Sequence, residues 1–413
     1  MDASGAPPAG TELVGVAMDA STFLGVDIGK RGHYALAVDA TGRPIYQTAV
    51  ANDEAALQQV ANWARDHRAT VVVDQPGGAA ALLLRVCWQA EVRIGYLHGL
   101  AMARARDFYA GESKTDPKDA FVLADVARAH PSRVVWLEPT SEALAHLELL
   151  CGYDADLRSD ANRLTNRLRA LLVTHWPALE RALGERLESR GVLAVLQQYP
   201  SGPAILAVSV DQLTAALKAQ RVRRPEALAK QLHQAALAQT VAITGSQTAA
   251  RLVSELATQL AAVLARREGL EQEIERGFFA LPEAAILRSL PGIGPRLGAR
   301  IAVEIGSIRR FRTPAHLAAY SGLGPTPWQS GTSINAQVPS RFGNHRLKNA
   351  LFLAAFASLR HAPSRTYYDR KRAQGKRHNQ AVLCLARRRV DVLHAMLTRG
   401  LAYQPPAPLP IAA

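Results

Sequence analysis

Cysteine is scarce in this 413-residue chain, and the three that occur lie far apart. Cys87, Cys151 and Cys384 form no CxxC pair and have no histidine at the spacing of a zinc ligand. These spacings exclude a disulfide framework and a structural zinc motif, and they indicate a reducing compartment.

Long hydrophobic runs are also missing. No segment reaches the roughly 18 consecutive apolar residues of a membrane span. Residues 1–20 lack the basic region and following apolar run that mark a signal peptide. We therefore expect a cytoplasmic protein with no membrane segment, which in a bacterium would meet the nucleoid.

Acidic residues are rare in one block of the chain. Residues 288–400 hold 20 Lys and Arg against 3 Asp and Glu, a net charge of +17. The whole chain carries +14, so the remainder is close to neutral at −3. An arginine-rich genome would give a uniform basic background, which does not explain this segregation. The confined charge predicts that the C-terminal part binds an anionic polymer.

Alternating strand and helix patterns fill the first part of the chain. The predicted strands are 22–27, 33–38, 45–50, 70–74 and 92–97, and the predicted helices are 79–90 and a segment capped by Asn52 that ends near residue 67. The first three strands form an antiparallel meander, and the order β-β-β-α-β-α-β-α predicts an α/β domain with a mixed sheet. RNase H-like folds have this order, and up to this point actin-like folds share it.

From residue 141 the pattern changes to long helices. Leucines recur at spacings of three, four or seven through residues 144–171, which is typical of amphipathic or coiled-coil helices. Residues 204–280 continue as helix, with breaks near 224–225 and 245–246. We interpret the arginines of the first segment as a solvated face rather than a nucleic-acid surface; they are Arg158, Arg163, Arg167 and Arg169.

Four aspartates occupy positions where carboxylates can converge. Asp27 ends the first predicted strand in Gly-Val-Asp-Ile-Gly, and Asp74 ends the fourth in Val-Val-Val-Asp-Gln-Pro. Asp116 and Asp119 lie three residues apart near the start of a helix in which Pro117 suits the first position. Four carboxylates at one sheet edge repel each other unless cations lie between them. Two Mg²⁺ ions about 4 Å apart would satisfy them and could activate a phosphodiester.

A phosphate-binding ATPase is the rival interpretation of the first motif. Gly-Val-Asp-Ile-Gly followed by a hairpin is similar to the first phosphate loop of actin-like ATPases and sugar kinases. Those proteins need a second Asp-x-Gly loop and a late Gly-Gly adenosine motif, and neither occurs here in a fitting place. The strongly basic last 120 or so residues also disfavour a kinase.

A glycine-rich segment opens the basic block. Leu-Pro-Gly-Ile-Gly-Pro-Arg at 290–296 has the pattern of a helix-hairpin-helix, in which Gly292 and Gly294 would let backbone N–H groups approach a phosphate. A plain corner between two helices would also favour glycine. The predicted nucleic-acid contacts are Gly292, Gly294, Arg296, Arg300, Arg309, Arg310, Arg312, Arg341, Asn344, Arg346 and Lys348.

A serine in the following segment is a candidate nucleophile. Ser330 precedes Gly331 in a Pro- and Gly-rich stretch that we expect to be a loop, next to a basic helix. Its hydroxyl could attack a phosphodiester, or it could simply cap the loop. An apolar helix follows from about residue 347 to residue 360.

Taken together, these motifs resemble the DEDD transposases of insertion sequences, of the IS110 type, and the Piv-like DNA invertases. The resemblance covers about residues 22–190 and 285–400. It implies that the four acidic positions are Asp27, Asp74, Asp116 and Asp119 and that the catalytic serine is Ser330. The second acid of the family is usually Glu, so Asp74 is one methylene shorter.

The resemblance also implies a chemistry and a set of partners. It implies DNA recombination through a serine linked transiently to DNA, with a RuvC-like domain that binds Mg²⁺, or Mn²⁺ in its place. Several protomers assemble in this family, which implies a homo-oligomer, either a dimer or a tetramer. In characterised branches a structured noncoding bridge RNA selects the target and donor DNA. The helical segment at about 200–280 is longer than in compact members of the family.

We therefore predict a DNA transposase or recombinase with an α/β and α architecture. The predicted domains are a disordered N-terminus at 1–21, a RuvC-like, RNase H-like domain at 22–135, a helical coiled-coil connector with an insert at 141–285, a mostly helical C-terminal domain at 286–402 and a disordered tail at 403–413. The alternative is a RuvC-like structure-specific endonuclease that uses water as its nucleophile. A catalytically silent nucleic-acid-binding protein would require that the acids do not converge.

Overall fold

The computed structural model describes residues 21–109, 115–330, 334–339 and 342–405. The chain divides into two compact units, the first ending at Thr140 and the second beginning at Ser141. Most of the two terminal segments predicted to be disordered, 1–20 and 406–413, lies outside the described residues.

A mixed sheet of six strands forms the centre of the first unit, as the sequence predicted. The strands are β1 (Thr22–Ile28), β2 (Gly32–Asp39), β3 (Pro44–Ala51), β4 (Thr70–Val73), β5 (Ile94–Tyr96) and β6 (Val135–Trp136). Their order in the sheet is β3-β2-β1-β4-β5-β6. The first three strands pair antiparallel, β1, β4 and β5 pair parallel, and β6 is antiparallel to β5. The sequence analysis missed β6, because two residues are too few to give a period-two pattern.

Four helices cover the two faces of this sheet. They are α1 (Glu54–Asp66), α2 (Ala81–Gln89), α3 (Gly99–Arg106) and α4 (Asp116–Ala129). The apolar side chains of α1 and α2 form one core with Leu24 and Val26 of β1. Those of α3 and α4 form a second core with Phe23 of β1 and Val72 of β4. Strands β1, β2 and β4 therefore send alternate residues into two different cores, as expected for the centre of a sheet buried on both faces.

Two local predictions in this unit were wrong by one residue. Asp53, not Asn52, caps α1, because its side chain accepts a hydrogen bond from the N–H of Ala56 at 2.9 Å. The side-chain amide of Asn52 instead donates to the carbonyl of Ala79. Helix α4 begins at Asp116, so Pro117 is its second residue rather than its first. Both types of residue suit either position, so local preference could not separate them.

A close contact between β1 and α4 depends on Gly25. A Cβ atom on this residue would lie 2.0 Å from the carbonyl oxygen of Ala120 and 2.7 Å from the nitrogen of Ala124. The backbone of α4 therefore lies directly against the strand. This approach brings the first turn of α4 next to the end of β1.

The second unit is helical apart from one hairpin, within the residues described. Its helices are α5 (Glu142–His175), α6 (Pro177–Leu183), α7 (Arg190–Gln198), α8 (Gly202–Leu206), α9 (Val210–Ala219), α10 (Pro225–Leu237), α11 (Ser246–Phe279), α12 (Ala284–Ser289), α13 (Pro295–Ile305), α14 (Pro314–Tyr320), α15 (His345–Ala357), α16 (Ala362–Ala373) and α17 (His378–Arg399). Among the described helices, none combines the length and the apolar character needed to cross a membrane.

The two 34-residue helices α5 and α11 pack antiparallel along their length. Asp154 near the middle of α5 pairs with Arg267, and His175 at its end contacts Ser246 at the start of α11. The leucine pattern predicted for α5 is confirmed for the most part, since Leu147, Leu157, Leu164 and Leu168 are buried and the other three predicted leucines are partly buried. The four arginines predicted to form a solvated face are exposed.

The predicted helix breaks are also confirmed. Arg224 and Gly245 both have left-handed backbone angles, and α10 and α11 begin directly after them. One half of the α5–α11 pair packs with α6–α10 around one core, and the other half packs with α12–α15 and α17 around a second.

The segment expected to be a loop before the basic helix is instead a β-hairpin. Its strands are β7 (Pro325–Ser330) and β8 (Ile334–Pro339), which pair antiparallel. The prolines and glycines around it suggested a loop. However, proline is compatible with an edge strand, and both strands of an isolated hairpin are edges.

We predict that Gly25→Ala destabilises the first unit. The new methyl group must displace the backbone of α4, and overpacking of this kind costs about 1–3 kcal/mol or more of unfolding free energy. Urea unfolding of the full chain measures the change. Gly77→Ala is the matched control, because a Cβ there meets nothing within 4 Å and the backbone is extended. Equal stability of the two variants would contradict the close packing of β1 on α4.

Candidate active site and nucleic-acid interface

Asp27 and Asp74 lie at the carboxyl ends of two neighbouring parallel strands. Asp27 is the penultimate residue of β1, and Asp74 directly follows β4. Strand residues alternate between faces, so Asp27 shares the face of Gly25, which contacts α4. The N–H of Ile28 donates to Asp74 Oδ1 at 3.4 Å, which ties the two strand ends together. The two carboxylates are therefore positioned by the sheet itself.

The first turn of α4 supplies the other two acids. Thr115 is the N-cap residue, and Asp116 and Asp119 follow in the first turn, where the helix dipole favours negative charge. Asp116 is exposed, whereas Asp119 is only 2% exposed. A buried carboxylate is unusual and requires a compensating charge or several hydrogen bonds.

The acidic side chains influence one another electrostatically. Burial, together with the charges of Asp74, Asp119 and Asp116, raises the pKa of Asp27 to about 6. Burial is also the main cause that raises the pKa of Asp74, with a further contribution from Asp119. The other three predicted acids therefore lie within electrostatic reach of Asp27, and their charges oppose its ionisation.

Arg106, at the end of α3, supplies the positive charge beside Asp119. Its Nη2 donates to Asp119 Oδ2 at 2.6 Å, and its Nε lies 2.6 Å from Asp119 Oδ1. The second pair is in contact but not aligned as a hydrogen bond, so both of these buried atoms lack a hydrogen-bond partner. Arg106 was missed by the sequence analysis, because it lies outside the acidic motifs.

The carboxylates at this edge are suitable ligands for a divalent cation, although their side chains are not arranged around a single metal position. Carboxylate oxygens are the ligands that Mg²⁺ prefers. Burial and then the charges of the neighbouring acids raise the pKa of Asp27, and a cation would offset the second of these effects. Among the described residues, no three acidic, histidine or cysteine side chains are close enough to share a metal ion. In the present arrangement Arg106 is the group that offsets the charge of Asp119.

The hairpin that carries Ser330 is clamped at its base. Gly322, before β7, and Gly343, after β8, have positive φ angles and pack backbone to backbone, since a Cβ on Gly343 would lie 2.6 Å from the nitrogen of Gly322. The N–H of Asn344 donates to the carbonyl of Tyr320 at 2.6 Å. The two ends of the hairpin are therefore fixed to each other and to α14.

Asn344 holds this base to two neighbouring helices. Its side chain caps α15 by accepting from the N–H of Leu347 at 3.0 Å. Its amide nitrogen donates to Glu304 of α13 at 2.7 Å and contacts the Tyr320 hydroxyl at 3.1 Å. These contacts give Asn344 a structural role that the sequence did not indicate, and its predicted contact with nucleic acid stays a prediction.

Ser330 is the last residue of β7 and pairs with Ile334, the first residue of β8. The serine therefore lies at the tip of the hairpin, at the end opposite the clamped base. The intervening residues 331–333 lie outside the described residues. Ser321 is fully buried and donates to the carbonyl of Ala318, so it is not available for chemistry.

The glycine-rich turn between α12 and α13 has one closely packed glycine and one open glycine. Gly292 has a positive φ, and a Cβ there would lie 2.3 Å from the carbonyl oxygen of Ala354. This glycine is therefore required for packing on α15. Gly294 is exposed, has nothing within 4 Å of a Cβ position and is the N-cap residue of α13. Only Gly294 leaves room for a phosphate.

Arg296 and Arg300 take part in an ion-pair network with Asp154. This aspartate is 8% exposed, and Arg267 donates to it at 3.0 Å. Arg300 and Arg296 lie 3.8 and 3.9 Å away, and Arg296 also pairs with Glu271 at 3.1 Å. The two arginines thus join α13 to the α5–α11 pair, and contact with DNA would compete with these interactions.

The other predicted cations differ in exposure. Arg310 is half-buried and lies over the rings of Phe311 and Tyr320. Lys348 is half-buried, and Arg341 lies outside the described residues. Among these remaining cations, Arg309, Arg312 and Arg346 are exposed to solvent.

A second basic surface lies at the junction of α16 and α17. Three cations, Arg370, Lys371 and Arg388, lie within 5.1–5.7 Å of the ring of Tyr367. The following turn, residues 372–377, adds three more cations. The sequence analysis counted this charge within the basic block but singled out no residue of it, although the run from 370 to 377 was a usable signal.

Comparison with known proteins identifies the class. A sequence model of transposases matches residues 24–177, and a model of the transposase IS116/IS110/IS902 family matches residues 284–369. The 43.6 kDa protein of insertion element IS110 from Streptomyces coelicolor is 41% identical over 389 residues, which cover 94% of this chain and 96% of that protein. The 44.8 kDa protein of insertion element IS116 from Streptomyces clavuligerus is 38% identical over 94% of this chain and 97% of that protein.

The chain therefore belongs to the transposase IS116/IS110/IS902 family of insertion elements. It is an enzyme of DNA transposition and recombination. A pilin gene-inverting protein of Moraxella bovis is 31% identical over 123 residues, 29% of this chain and 38% of that protein. The helical segment between the two matched regions is part of the alignment with the IS110 protein, since that alignment spans almost the whole chain.

We predict that Asp27→Asn stabilises the protein above pH 6 in the presence of EDTA. The pKa of Asp27 rises on folding from 3.8 to about 6. The charged carboxylate therefore destabilises the folded state as the pH rises through this window, and the penalty is absent below it. The shift corresponds to at most roughly 3 kcal/mol, which partial exposure reduces to about 1 kcal/mol.

Urea unfolding between pH 4 and pH 8 measures this difference. The gap between Asp27→Asn and the wild type should open as the pH rises and close near pH 4. Asp66→Asn, at the exposed end of α1, is the control and should show no such opening. A gap that stays constant with pH would mean that neither burial nor the neighbouring carboxylates raise the pKa of Asp27 in the folded protein.

Proposed function

We propose that this transposase cleaves and rejoins DNA through a serine nucleophile, Ser330, assisted by a cation site formed by Asp27, Asp74, Asp116 and Asp119. The observation that carries the proposal is the electrostatic coupling of these four acids at one sheet edge, where Asp27 has a pKa of about 6. A group of carboxylates that destabilise one another is typical of a site built to bind a cation.

The order of the strands supports an RNase H-like, RuvC-like identity for the first unit. Three antiparallel strands are followed by two parallel ones, in the order β3-β2-β1-β4-β5. The acids lie at the ends of the central strands β1 and β4 and at the start of α4. We assign Mg²⁺, or Mn²⁺ in its place, to this edge, where it would neutralise charge that develops on the phosphate oxygens.

In the reaction the oxygen of Ser330 forms a bond to phosphorus as the bond from phosphorus to a sugar oxygen breaks. The serine proton passes to a base, and the leaving sugar oxygen takes up a proton. The resulting serine–DNA phosphodiester replaces the DNA phosphodiester that was broken. A second sugar hydroxyl can then attack its phosphorus, release the serine and rejoin the strands. No histidine lies within ten residues of Ser330, so its activation must come from elsewhere in the assembly.

The position of Ser330 at a hairpin tip supports this role. Ser330 lies at the end of the hairpin opposite the clamped base, so its position in the chain is remote from the attachment of the hairpin to α14. We propose that the acidic edge that activates Ser330 belongs to a second protomer in a dimer or tetramer. The long α5–α11 pair is the element that we expect to support assembly.

We predict that Ser330→Ala abolishes recombination and the covalent protein–DNA adduct while DNA binding is retained. The assay traps the adduct on the intact insertion element, with and without RNA transcribed from its flanking regions, so that dependence on a bridge RNA is read in the same experiment. Ser321→Ala is the control, since this serine is buried and its hydroxyl is bonded within its own helix. Loss of its bond can lower stability but should not remove the adduct.

A mixture of Ser330→Ala and Asp27→Ala proteins tests the shared site. Partial recovery of activity in the mixture is expected if each active site combines residues from two protomers. A Ser330→Ala enzyme that cuts DNA at the wild-type rate would contradict the proposal and favour the endonuclease that uses water.

We predict that the exposed cations of the basic block carry DNA binding. Arg309→Ala with Arg312→Ala should weaken binding of the full chain to duplex DNA and reduce the slope of log affinity against log salt by about 2, since each lost phosphate contact contributes about 0.9. Electrophoretic or anisotropy titrations at several salt concentrations give this slope.

The matched control removes the same charge from the long helix α5. Arg158 and Arg167 are exposed there, on the face that we interpret as solvated. Replacement of both with alanine should leave the slope almost unchanged. An equal loss in both double variants would show that net charge, and not a localised surface, determines DNA binding.

A further inference from the structure

We infer that Arg106 occupies the cation side of Asp119 as an internal counterion and must leave it before a divalent cation can bind. This inference rests on the proposed cation site. It assigns a regulatory role to a residue outside the four acids, because the guanidinium and the metal compete for the same carboxylate.

The ion pair between Arg106 and Asp119 is short and involves both carboxylate oxygens. Arg106 approaches Asp119 side-on, with both Nε and Nη2 2.6 Å from carboxylate oxygens. The Asp119 side chain is 3% exposed and that of Arg106 is 31% exposed. One partner is therefore fixed inside the fold, and the other can retreat towards solvent. A divalent cation bound to Asp119 would need the oxygens that Arg106 now covers.

The pair is also incompletely satisfied. Asp119 Oδ1 and Arg106 Nε are fully enclosed, yet neither makes a hydrogen bond. A purely structural buried ion pair is stable only when its geometry is good and its remaining donors and acceptors are bonded. The unbonded oxygen of Asp119 is therefore an acceptor that a better-placed cation could use.

The residues on either side of Arg106 are held against α4. Before it, Met102 of α3 is buried in the core that includes α4. After it, the hydroxyl of Tyr109 donates to Asp125 of α4 at 2.7 Å, and its ring packs edge-on against Phe121 at 5.7 Å. Both flanks of Arg106 are thus anchored on α4, and the side chain between them reaches the first turn of that helix.

The charge of Arg106 acts on the whole acidic edge. Its positive charge lowers the pKa of Asp27 and of Asp74 and so opposes the effect of burial and of the neighbouring acids. A guanidinium does not lose its proton at physiological pH. Arg106 can therefore stop neutralising the charge of these acids only if its side chain moves away. Cation binding is thus linked to displacement of this side chain.

The test measures Mn²⁺ binding to the full chain by the electron paramagnetic resonance signal of free Mn²⁺. Arg106→Gln removes the charge and keeps a hydrogen-bond donor, and Arg106→Lys keeps the charge. We expect Arg106→Gln to bind Mn²⁺ about ten-fold more tightly, an effect of the size expected for loss of one nearby like charge. Arg106→Lys should stay close to the wild type. Arg104→Ala, at an exposed position of the same helix, should change nothing.

Thermal unfolding of the same variants gives a second readout. In EDTA, Arg106→Gln should unfold at a lower temperature than the wild type, because the acids lose their counterion, and saturating Mn²⁺ should remove most of that deficit. A structural ion pair with no role in cation binding would give the deficit without the change in Mn²⁺ affinity.

The outcomes separate the counterion role from the cation site. If the wild type binds Mn²⁺, Asp119→Asn does not, and Arg106→Gln binds with unchanged or lower affinity, the counterion role is wrong and the cation site stands. If neither the wild type nor Arg106→Gln binds Mn²⁺, the cation site itself is wrong, and the role of Arg106 falls with it. Binding by Arg106→Gln alone, or tighter binding than the wild type, supports the inference.

Discussion

The close approach of helix α4 to strand β1 is the constraint on which the acidic edge depends. The backbone of α4 contacts the strand at Gly25, where even a methyl group would collide with the carbonyl of Ala120. Asp27 lies two residues further along the same face of β1, and Asp119 precedes Ala120 in α4. The two acids are therefore brought together by a backbone contact. Two carboxylates repel each other at close range, so no attraction between them contributes.

Burial and that repulsion together explain the other features of the edge. Asp119 is buried because α4 lies so close to the sheet, and a buried carboxylate needs a counter-charge. Arg106 provides it from the end of α3, and the pKa of Asp27 nevertheless remains raised to about 6. Apolar or neutral residues at the same four positions would repel less, so the acidic edge lowers the stability of the fold in the way that is typical of functional sites.

In the second unit, many of the residues that the sequence analysis predicts to bind nucleic acid are used to pack the fold. Gly292 is needed for contact with α15, Asn344 ties the hairpin base to α13 and α14, and Arg300 helps to neutralise Asp154. A conspicuous glycine, asparagine or arginine in a basic protein can therefore serve the fold first. The cations that remain exposed, such as Arg309 and Arg312, are better candidates for phosphate contact.

The sequence by itself determined the family, the mixed sheet, the long helices with their breaks and the confinement of positive charge to one block. These features depend on local periodicity, on residues with restricted backbone angles and on summed charge, all of which can be read without knowing what lies nearby in space. It also placed Asp27, Asp74, Asp116 and Asp119 at strand ends and at a helix start. It could not find Arg106, the clamp at Gly322 and Gly343 or the hairpin that carries Ser330. Each of these depends on contacts between segments that are distant along the chain or on strands stabilised by their pairing, and only the tertiary structure decides such contacts.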